Sequence, residues 1–254
     1  MAHLRLIARL DIKAPNLIKG IHLEGVRVVG NPQTFAQRYY DQGVDELLYV
    51  DAVASLYGRN SLTDLVRHTA ENVFIPITVG GGLRSVDDVR AMLRAGADKV
   101  AINTAAVARP DLIREVAETF GSQCMVVSIQ AKRQTDGRWE ALTDGGREHS
   151  KLDAIHWARQ AQDLGAGEIL LTSVDQEGTQ KGFDLALTRA VAEAVTIPVI
   201  ASGGMGKLDH LDAVVGEGKA DAVAMAHVLH YDKLSLDAIR AHARNSGITV
   251  RHDG

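Results

Sequence analysis

The sequence predicts an α/β chain that closes into a (β/α)8 barrel, the TIM-barrel fold class. Short aliphatic runs alternate with longer amphipathic segments, which is typical of parallel strands joined by helical crossovers. One phrase occurs twice, as Ile75-Pro-Ile-Thr-Val-Gly-Gly-Gly82 and as Ile197-Pro-Val-Ile-Ala-Ser-Gly-Gly204. The length of 254 residues suits a single barrel domain, which commonly runs to about 200–250 residues.

Eight runs are predicted as barrel strands because they are short, aliphatic and rich in β-branched residues. In order they are Leu4–Leu10, Glu46–Val50, Ile75–Val79, Lys99–Ile102, Met125–Ile129, Glu168–Ser173, Pro198–Ala201 and Ala222–Met225. Apolar residues at helical spacing predict helices over Asp87–Ala95 and Ala154–Leu164, and Gly96 and Gly165 end them.

The doubled phrase belongs to a repeat that extends over half the chain. Ala97–Ile102 realigns with Ala220–Met225, and Glu46–Val50 realigns with Glu168–Thr172. A solenoid would repeat every 20–50 residues or so. The longer period predicts a twofold half-barrel repeat, of about 1–120 and 121–254, within one domain over 1–254.

Composition excludes several classes of function. With 28 basic and 32 acidic residues the net charge is −4 and no dense Lys/Arg run occurs, so neither nucleic acid nor a membrane is expected as a partner. No signal peptide or run of ~18 apolar residues is present, which predicts a cytoplasmic protein. Cys124 is expected as a buried core residue. His227 and His230 lack the spacing and company of zinc ligands, so no metal and no cofactor is expected.

Polar and glycine residues follow the predicted strands, where barrels carry their chemistry. These positions are Asp11, Asp51, Gly80–Gly82, Asn103–Thr104, Gln130, Ser173, Gly203–Gly204 and Ala226–His227. The sequence therefore predicts a polar mouth at the carboxyl ends of the strands.

The two glycine clusters predict two phosphate sites. Without a Cβ, glycine lets a phosphate approach backbone N–H groups closely, and a following helix N-terminus adds a favourable dipole. The first site comprises Gly81, Gly82, Asn103 and Thr104, and the second comprises Gly178, Gly203, Gly204, Ala226 and His227. The alternative is that the glycines only permit tight turns. A substrate with a phosphate at each end fits two such sites across one mouth.

Five phrases carry a resemblance to a known family. They are Thr78-Val-Gly-Gly-Gly82, Asp98-Lys-Val-Ala-Ile-Asn-Thr-Ala-Ala106, Phe120-Gly-Ser-Gln123, Gly165-Ala-Gly-Glu-Ile-Leu-Leu-Thr-Ser173 and Ile200-Ala-Ser-Gly-Gly204. Over essentially its whole length the chain resembles the HisF family, the cyclase subunits of imidazole glycerol phosphate synthase.

The resemblance implies an enzyme of histidine biosynthesis that receives ammonia from a partner glutaminase of the HisH type in a heterodimer. It converts a bis-phosphate ribulosyl-formimino-aminoimidazole carboxamide nucleotide to imidazole glycerol phosphate and an aminoimidazole carboxamide ribotide. The chain itself lacks a nucleophile elbow for glutamine hydrolysis, because its one cysteine lies in a strand.

Two aspartates at the ends of strands one and five act as general acid and base in the family. Asp11 matches the first, but Gln130 stands in Val127-Ser-Ile-Gln-Ala-Lys-Arg133 where the family has the second. An amide does not titrate near neutral pH, and losing one acid–base partner commonly costs ~10²–10⁴ in rate. By location, His227 and Asp51 are the candidates to replace the missing group.

Other matching positions concern ammonia and the active-site lid. Arg5, Glu46, Lys99 and Glu168 match the charged gate through which ammonia enters the bottom of the barrel. The alternative is a structural ion-pair layer. By resemblance, Asp98 faces the docked glutaminase and Lys19 is the lid lysine near substrate phosphate. Lys19 is otherwise a surface charge, and Pro15 in the same loop departs from the family and stiffens it.

Three functions remain open from the sequence. The first is the family reaction, which more positions match. The second is a paralogue that channels ammonia for amidine formation on a sugar in surface-polysaccharide or nonulosonate biosynthesis, favoured by Gln130 and the altered lid. The third is a non-catalytic scaffold that activates a glutaminase, which the retained gate makes the weakest of the three.

Overall fold

The computed structural model describes residues 3–54 and 62–251. Its strands are β1 (Arg5–Lys13), β2 (Asn16–Ile21), β3 (Glu24–Gly30), β4 (Glu46–Asp51), β5 (Ile77–Gly80), β6 (Lys99–Ile102), β7 (Met125–Arg133), β8 (Trp139–Thr143), β9 (Glu148–Asp153), β10 (Glu168–Ser173), β11 (Val199–Ser202) and β12 (Ala222–Met225).

The helices lie between and after these strands. They are α1 (Pro32–Asp41), α2 (Thr63–Ala70), α3 (Val86–Arg94), α4 (Thr104–Ala108), α5 (Asp111–Phe120), α6 (Ala154–Asp163), α7 (Leu185–Ala192), α8 (Asp209–Gly216), α9 (His227–His230) and α10 (Leu236–Asn245), with a 3-10 turn at Ser122–Cys124. Among the described residues, no helix is long and apolar enough to cross a membrane.

Eight of the described strands form a closed parallel barrel in the order β1, β4, β5, β6, β7, β10, β11 and β12. The ring closes where β12 pairs with β1, with Ala222 beside Arg5, and it continues from β7 to β10, with Val126 beside Glu168. The predicted (β/α)8 barrel is confirmed. In this ring β1 lies opposite β7, and β5 lies opposite β11.

Two antiparallel hairpins at the mouth were not predicted. Strands β1 and β7 are each nine residues long and continue beyond the barrel. The β2–β3 hairpin pairs with the end of β1, with Ile18 beside Asp11, and the β8–β9 hairpin pairs with β7, with Leu142 beside Gln130. The hairpins satisfy backbone groups that would otherwise leave exposed edges at the rim.

The two helices predicted from periodicity are present with bounds that differ by one residue. At the start of α3, Ser85 Oγ accepts a hydrogen bond from the Asp88 N–H, and Asp88 in return accepts from the Ser85 N–H, which is a capping box. Gly96 ends this region with φ +112°, and a Cβ there would lie 2.5 Å from Ala70 Cβ. Glycine is therefore required at this stop.

Alternate residues of the barrel strands point inward and form three layers. The floor carries Arg5, Glu46, Lys99 and Glu168, whose side chains bond one another. Above it lies an apolar cluster of Ile7, Leu48, Ala101, Val126, Leu170, Ile200, Ala222 and Ala224. The mouth is polar again and includes Arg9, Asp11, Gln130, Thr172 and Ser202, all buried.

Hydrogen bonds below the barrel repeat between the two halves. Asp98 Oδ2 accepts from the Ile77 N–H at 2.8 Å, and the Asp98 N–H donates back to the Ile77 oxygen at 2.9 Å. Asp221 makes the same pair of bonds with Val199, at 2.9 and 3.0 Å. Each aspartate thereby fixes the start of the preceding strand.

Candidate active site

Asp11 lies in the mouth as part of a buried ion pair. Its Oδ1 accepts a hydrogen bond from Arg9 Nε at 3.0 Å, and its Oδ2 lies 4.0 Å from Lys19 Nζ. Burial alone would raise the pKa of Asp11, but the positive charges of Arg9 and Lys19 outweigh burial and hold that pKa below its ordinary value. Asp11 is therefore a carboxylate at neutral pH.

Lys19, from strand β2, reaches down into the barrel mouth. It donates a hydrogen bond to Glu177 Oε1, and only 5% of Lys19 and 3% of Glu177 are exposed. The interpretation of Lys19 as a surface charge is wrong, because the β2–β3 hairpin folds over the mouth and carries this side chain inward. Glu177 is the partner that compensates its burial.

Gln130 lies on β7, across the barrel from Asp11. Asn103 Nδ2 donates to the backbone oxygen of Leu142 at 3.0 Å and to Gln130 Oε1 at 3.2 Å. Since a backbone oxygen only accepts, it fixes the orientation of the Asn103 amide, and that amide fixes the Gln130 oxygen toward itself. The Gln130 NH2 group is then a donor where a carboxylate would be an acceptor.

The first predicted phosphate site surrounds a cavity of about 340 Å³. Its lining includes all four predicted residues together with Asp51 and Gln130: Gly81, Gly82, Asn103, Thr104, Asp51 and Gln130. Gly81 has φ +96°, and a Cβ there would lie 2.5 Å from the Asp51 backbone oxygen. Asp51 itself accepts from the Val53 N–H at 3.0 Å. This half of the mouth is open enough to receive a ligand.

The second predicted phosphate site is almost filled. All of its predicted members line one small cavity of about 20 Å³: Gly178, Gly203, Gly204, Ala226 and His227, with Lys19. That volume holds about one water molecule. A Cβ at Gly203 would lie 3.1 Å from Glu177 Oε2, so a carboxylate lies against this glycine turn. A phosphate on this side therefore requires Lys19 and Glu177 to move.

Two histidines of the short helix α9 lie beside the second site. Burial, followed by the charges of Lys233 and Lys19, lowers the pKa of His227, so its imidazole is neutral at pH 7. His230 is fully enclosed, and its Nδ1 lies 2.6 Å from Tyr39 Oη. Its Nε2 has no hydrogen-bond partner among the described residues. Neither imidazole reaches the cavity that holds Gln130.

The four predicted gate residues form a closed ring of ion pairs at the floor. Arg5 donates to Glu46 at 2.7 Å and also to Glu168. Lys99 Nζ lies 3.2 Å from Glu46 Oε2 and 3.2 Å from Glu168 Oε2. Each partly exposed cation thus bridges both carboxylates, which compensates the burial of Glu46 and Glu168.

Asp98, the predicted partner contact, is exposed next to Lys99 of this ring, with one carboxylate oxygen bonded to the Ile77 N–H. Cys124 is buried, and burial raises the pKa of its thiol. The cysteine therefore has the character expected of a core residue.

Arg9 is the main site residue that the sequence predictions missed. Besides Asp11, it bonds Thr172 Oγ1 at 3.0 Å and Ser202 Oγ at 2.9 Å. The sequence does carry a signal for Arg9, because Arg5, Ile7, Arg9 and Asp11 alternate along β1 and so point inward, which places a second cation inside the barrel. Glu177 was also not among the predicted site residues, because its ion pair with Lys19 depends on the fold of the hairpin.

Comparisons with known proteins agree with this fold. A family model described as "Histidine biosynthesis protein" matches residues 5–235. The chain is 66% identical over 212 residues, 84% of its length and all of the relative, to "Imidazole glycerol phosphate synthase subunit HisF" of Legionella pneumophila. It is 53% identical over 247 residues, 97% of both chains, to the protein of that name from Myxococcus xanthus (strain DK1622). The chain therefore belongs to the HisF family of imidazole glycerol phosphate synthase subunits.

Proposed function

We propose that this chain performs the cyclase reaction of imidazole glycerol phosphate synthase with Asp11 as its one acid–base carboxylate. The observation that carries the proposal is the arrangement of groups around the barrel mouth. Ionised Asp11 and the amide of Gln130 belong to opposite strands, and the two glycine turns flank them on the other axis. A substrate with a phosphate at each end would span the turns and present its middle to Asp11.

Asp11 is the group that moves the proton. Its Oδ1 is held by Arg9, whereas its Oδ2 is 4.0 Å from Lys19 Nζ, beyond hydrogen-bond distance, and is the oxygen that takes a proton from the reacting substrate. Gln130 cannot exchange protons, so the same carboxylate must return the proton to the departing ribotide within one turnover. The Gln130 NH2 group instead orients a substrate oxygen by donating to it.

Ammonia reaches this mouth from the floor of the barrel. The layer between the ring of four charges and the mouth is apolar and contains three small residues, Ala101, Ala222 and Ala224. Neutral ammonia crosses such a layer at a far lower cost than an ammonium ion does. The floor ring would then open to admit ammonia and exclude ions.

A glutaminase of the HisH type is the proposed source of ammonia and forms a heterodimer with this chain. Asp98 is exposed beside the gate, and Phe74, which precedes β5 at the same end of the barrel, is 75% exposed. An exposed charged residue and a large exposed aromatic side chain at one end of the barrel suit a protein interface. The partner would cover the floor, so that ammonia passes directly into the ring.

The decisive experiment is turnover of the bis-phosphate substrate with an ammonium salt at alkaline pH, followed as substrate loss. We expect the wild type to turn over and Asp11→Asn to lose about 10²–10⁴ of the rate, because the group proposed to transfer the proton is removed. Asp136→Asn, on an exposed hairpin turn, is the control and should leave the rate unchanged. Gln130→Asp should match or exceed the wild type. An inert wild type with turnover only in Gln130→Asp would contradict the proposal.

A second function is favoured by one observation, the donor character of Gln130. An acylamino group on a sugar would suit this amide, because the Gln130 NH2 group would donate to its carbonyl oxygen. After activation of that oxygen by a nucleoside triphosphate, ammonia would replace it and give an amidine, with the ammonia made by a separate amidotransferase. In that case the wild type would be inert toward the bis-phosphate substrate and would deliver ammonia to a sugar. Flanking histidine genes favour the cyclase, and flanking sugar aminotransferase genes favour the paralogue.

A further inference from the structure

The guanidinium of Arg9 is held by three strands of the barrel. Its Nε donates to Asp11 Oδ1 at 3.0 Å on its own strand, and its Nη1 donates to Thr172 Oγ1 on β10 at 3.0 Å and to Ser202 Oγ on β11 at 2.9 Å. A planar guanidinium with three fixed bonds has one orientation. Asp11 therefore faces a cation whose position does not depend on the lid.

Stability alone does not account for this arginine. Burying a charge in a barrel is costly, and apolar residues of similar volume commonly replace buried ion pairs without loss of stability. The adjacent inward position on the same strand, Ile7, is apolar and fully packed. Arg9 is 2% exposed and its ionic partner is the residue proposed to move the proton. The charge is thus placed where it acts on the reaction.

We propose that Arg9 is a positioning residue that keeps Asp11 ionised and directs its Oδ2 toward the substrate. The inference rests on the proposed cyclase function, in which one carboxylate must both take and return the proton. Arg9 occupies Oδ1 and leaves Oδ2 as the oxygen that exchanges the proton. Without Arg9, burial would raise the pKa of Asp11, and its carboxyl group would rotate between its two oxygens.

Other charged groups around Asp11 do not supply this effect. Lys19 from β2 lies 4.0 Å from Asp11 Oδ2 but donates to Glu177, the carboxylate that follows β10. His230 from α9 is buried and neutral at pH 7, its pKa lowered chiefly by burial. On the neighbouring strand β4, the Asp51 side chain accepts from the Val53 N–H. Arg9 is the described cation in direct hydrogen-bond contact with Asp11.

The test is to measure the ionisation of Asp11 directly and by its effect on the rate. Arg9→Met removes the charge but keeps an unbranched side chain of similar length. Arg9→Lys keeps the charge but loses the planar guanidinium that donates to several acceptors at once. Carbon-13 NMR of the carboxyl groups, assigned with Asp11→Asn, should show the pKa of Asp11 rising by about 1–3 units in Arg9→Met and less in Arg9→Lys. The acid limb of kcat/KM with ammonium salt should move upward in pH by the same amount.

A matched control comes from another buried arginine. Arg240 donates to Asp45 Oδ1 at 2.8 Å, outside the mouth, and is also 2% exposed. Arg240→Met should lower the stability and leave the titration of Asp11 and the acid limb unchanged. An unaltered Asp11 titration in folded Arg9→Met would overturn the inference. A wild type without turnover would sink only the proposed function, because the NMR titration would still decide the role of Arg9.

Discussion

At the scale of single residues, the mouth is defined by charges whose partners come from distant parts of the chain. Asp11 was predicted from its position at a strand end, and it lies in the mouth. Its contacts with Arg9 and Lys19 were not predicted, because local sequence does not show that strand β2 turns back over β1. Gln130 was recognised as an amide in a carboxylate position, but its orientation required the bond from Asn103 to be seen.

His230 provides a test of these buried contacts through the pH dependence of stability. Burial, only partly opposed by the charge of Asp11, lowers the pKa of His230 to about 3 in the folded protein, against 6.5 for the free side chain. Between those values the unfolded chain binds a proton that the folded protein does not. Stability is therefore lost as pH falls through this window, by up to about 1.4 kcal/mol per pH unit.

We expect His230→Gln to flatten this dependence, since glutamine carries no titrating group and retains a polar partner for Tyr39. The free energy of unfolding in urea, measured from pH 4.5 to 6, should fall less steeply with acid in the variant than in the wild type. His156→Gln, at an exposed position of α6, serves as the control. Equal slopes for His230→Gln and wild type would show that His230 binds its proton in the folded state.

At the scale of elements, the barrel strands were predictable and the hairpins were not. Parallel strands buried on both faces read as short apolar runs, and all eight predicted runs overlap barrel strands. Strand β3 is mostly exposed and mixed in composition, so its conformation depends on pairing with β2 rather than on its own pattern. The predicted helix ends lie close to the observed ones, because Gly96 and Gly165 have positive φ values that stop a helix.

A substitution in the glycine turn after β11 tests whether the second site binds phosphate. Gly204 has φ +107°, and a Cβ would lie 2.0 Å from the Gly182 backbone oxygen. Gly204→Ala must therefore displace the turn, and we expect the KM for the bis-phosphate substrate to rise at least about tenfold, a loss of one good phosphate contact.

Gly137→Ala is the matched control for this substitution. Gly137 also has a positive φ of +87°, but no atom lies within 4 Å of its added Cβ. The two variants share backbone strain and differ in steric displacement at the mouth. If both raise KM equally, or neither does, the turn after β11 is not a phosphate site.

At the scale of the whole molecule, the twofold repeat predicted from the doubled phrase has structural counterparts. The two glycine turns follow opposite strands of the ring, and Asp98 and Asp221 make matching pairs of hydrogen bonds. The division into half-barrels of about 1–120 and 121–254 stays a prediction. The two glycine-turn sites differ in their surroundings, because Lys19 and Glu177 fill the site after β11 and do not line the cavity after β5. That difference depends on side-chain packing and was not visible in the repeat.

A substitution in the floor ring tests whether ammonia from the glutaminase enters through it. Lys99→Met removes both bridges of Lys99 and leaves Arg5 as the cation between two glutamates. With the HisH-type glutaminase of the same organism, we expect glutamine-dependent turnover to fall several-fold relative to ammonium-dependent turnover, because the proposed route carries ammonia through the altered ring only in the first assay. Lys219→Met, an exposed lysine paired with Glu193, is the control. An equal fall in both assays would favour a purely structural ion-pair layer.

If the two glycine turns hold the two phosphates of the substrate, as proposed, the unequal cavities beside them would impose an order of events on substrate capture. One phosphate end can occupy the space of about 340 Å³ without any movement of the protein, whereas the other must wait until Lys19 and Glu177 separate. We expect capture to have two kinetic phases, a concentration-dependent encounter and a slower first-order step whose rate is a property of the hairpin. The substrate would be committed at the second phase, and a ligand that carries only one phosphate would dissociate before it.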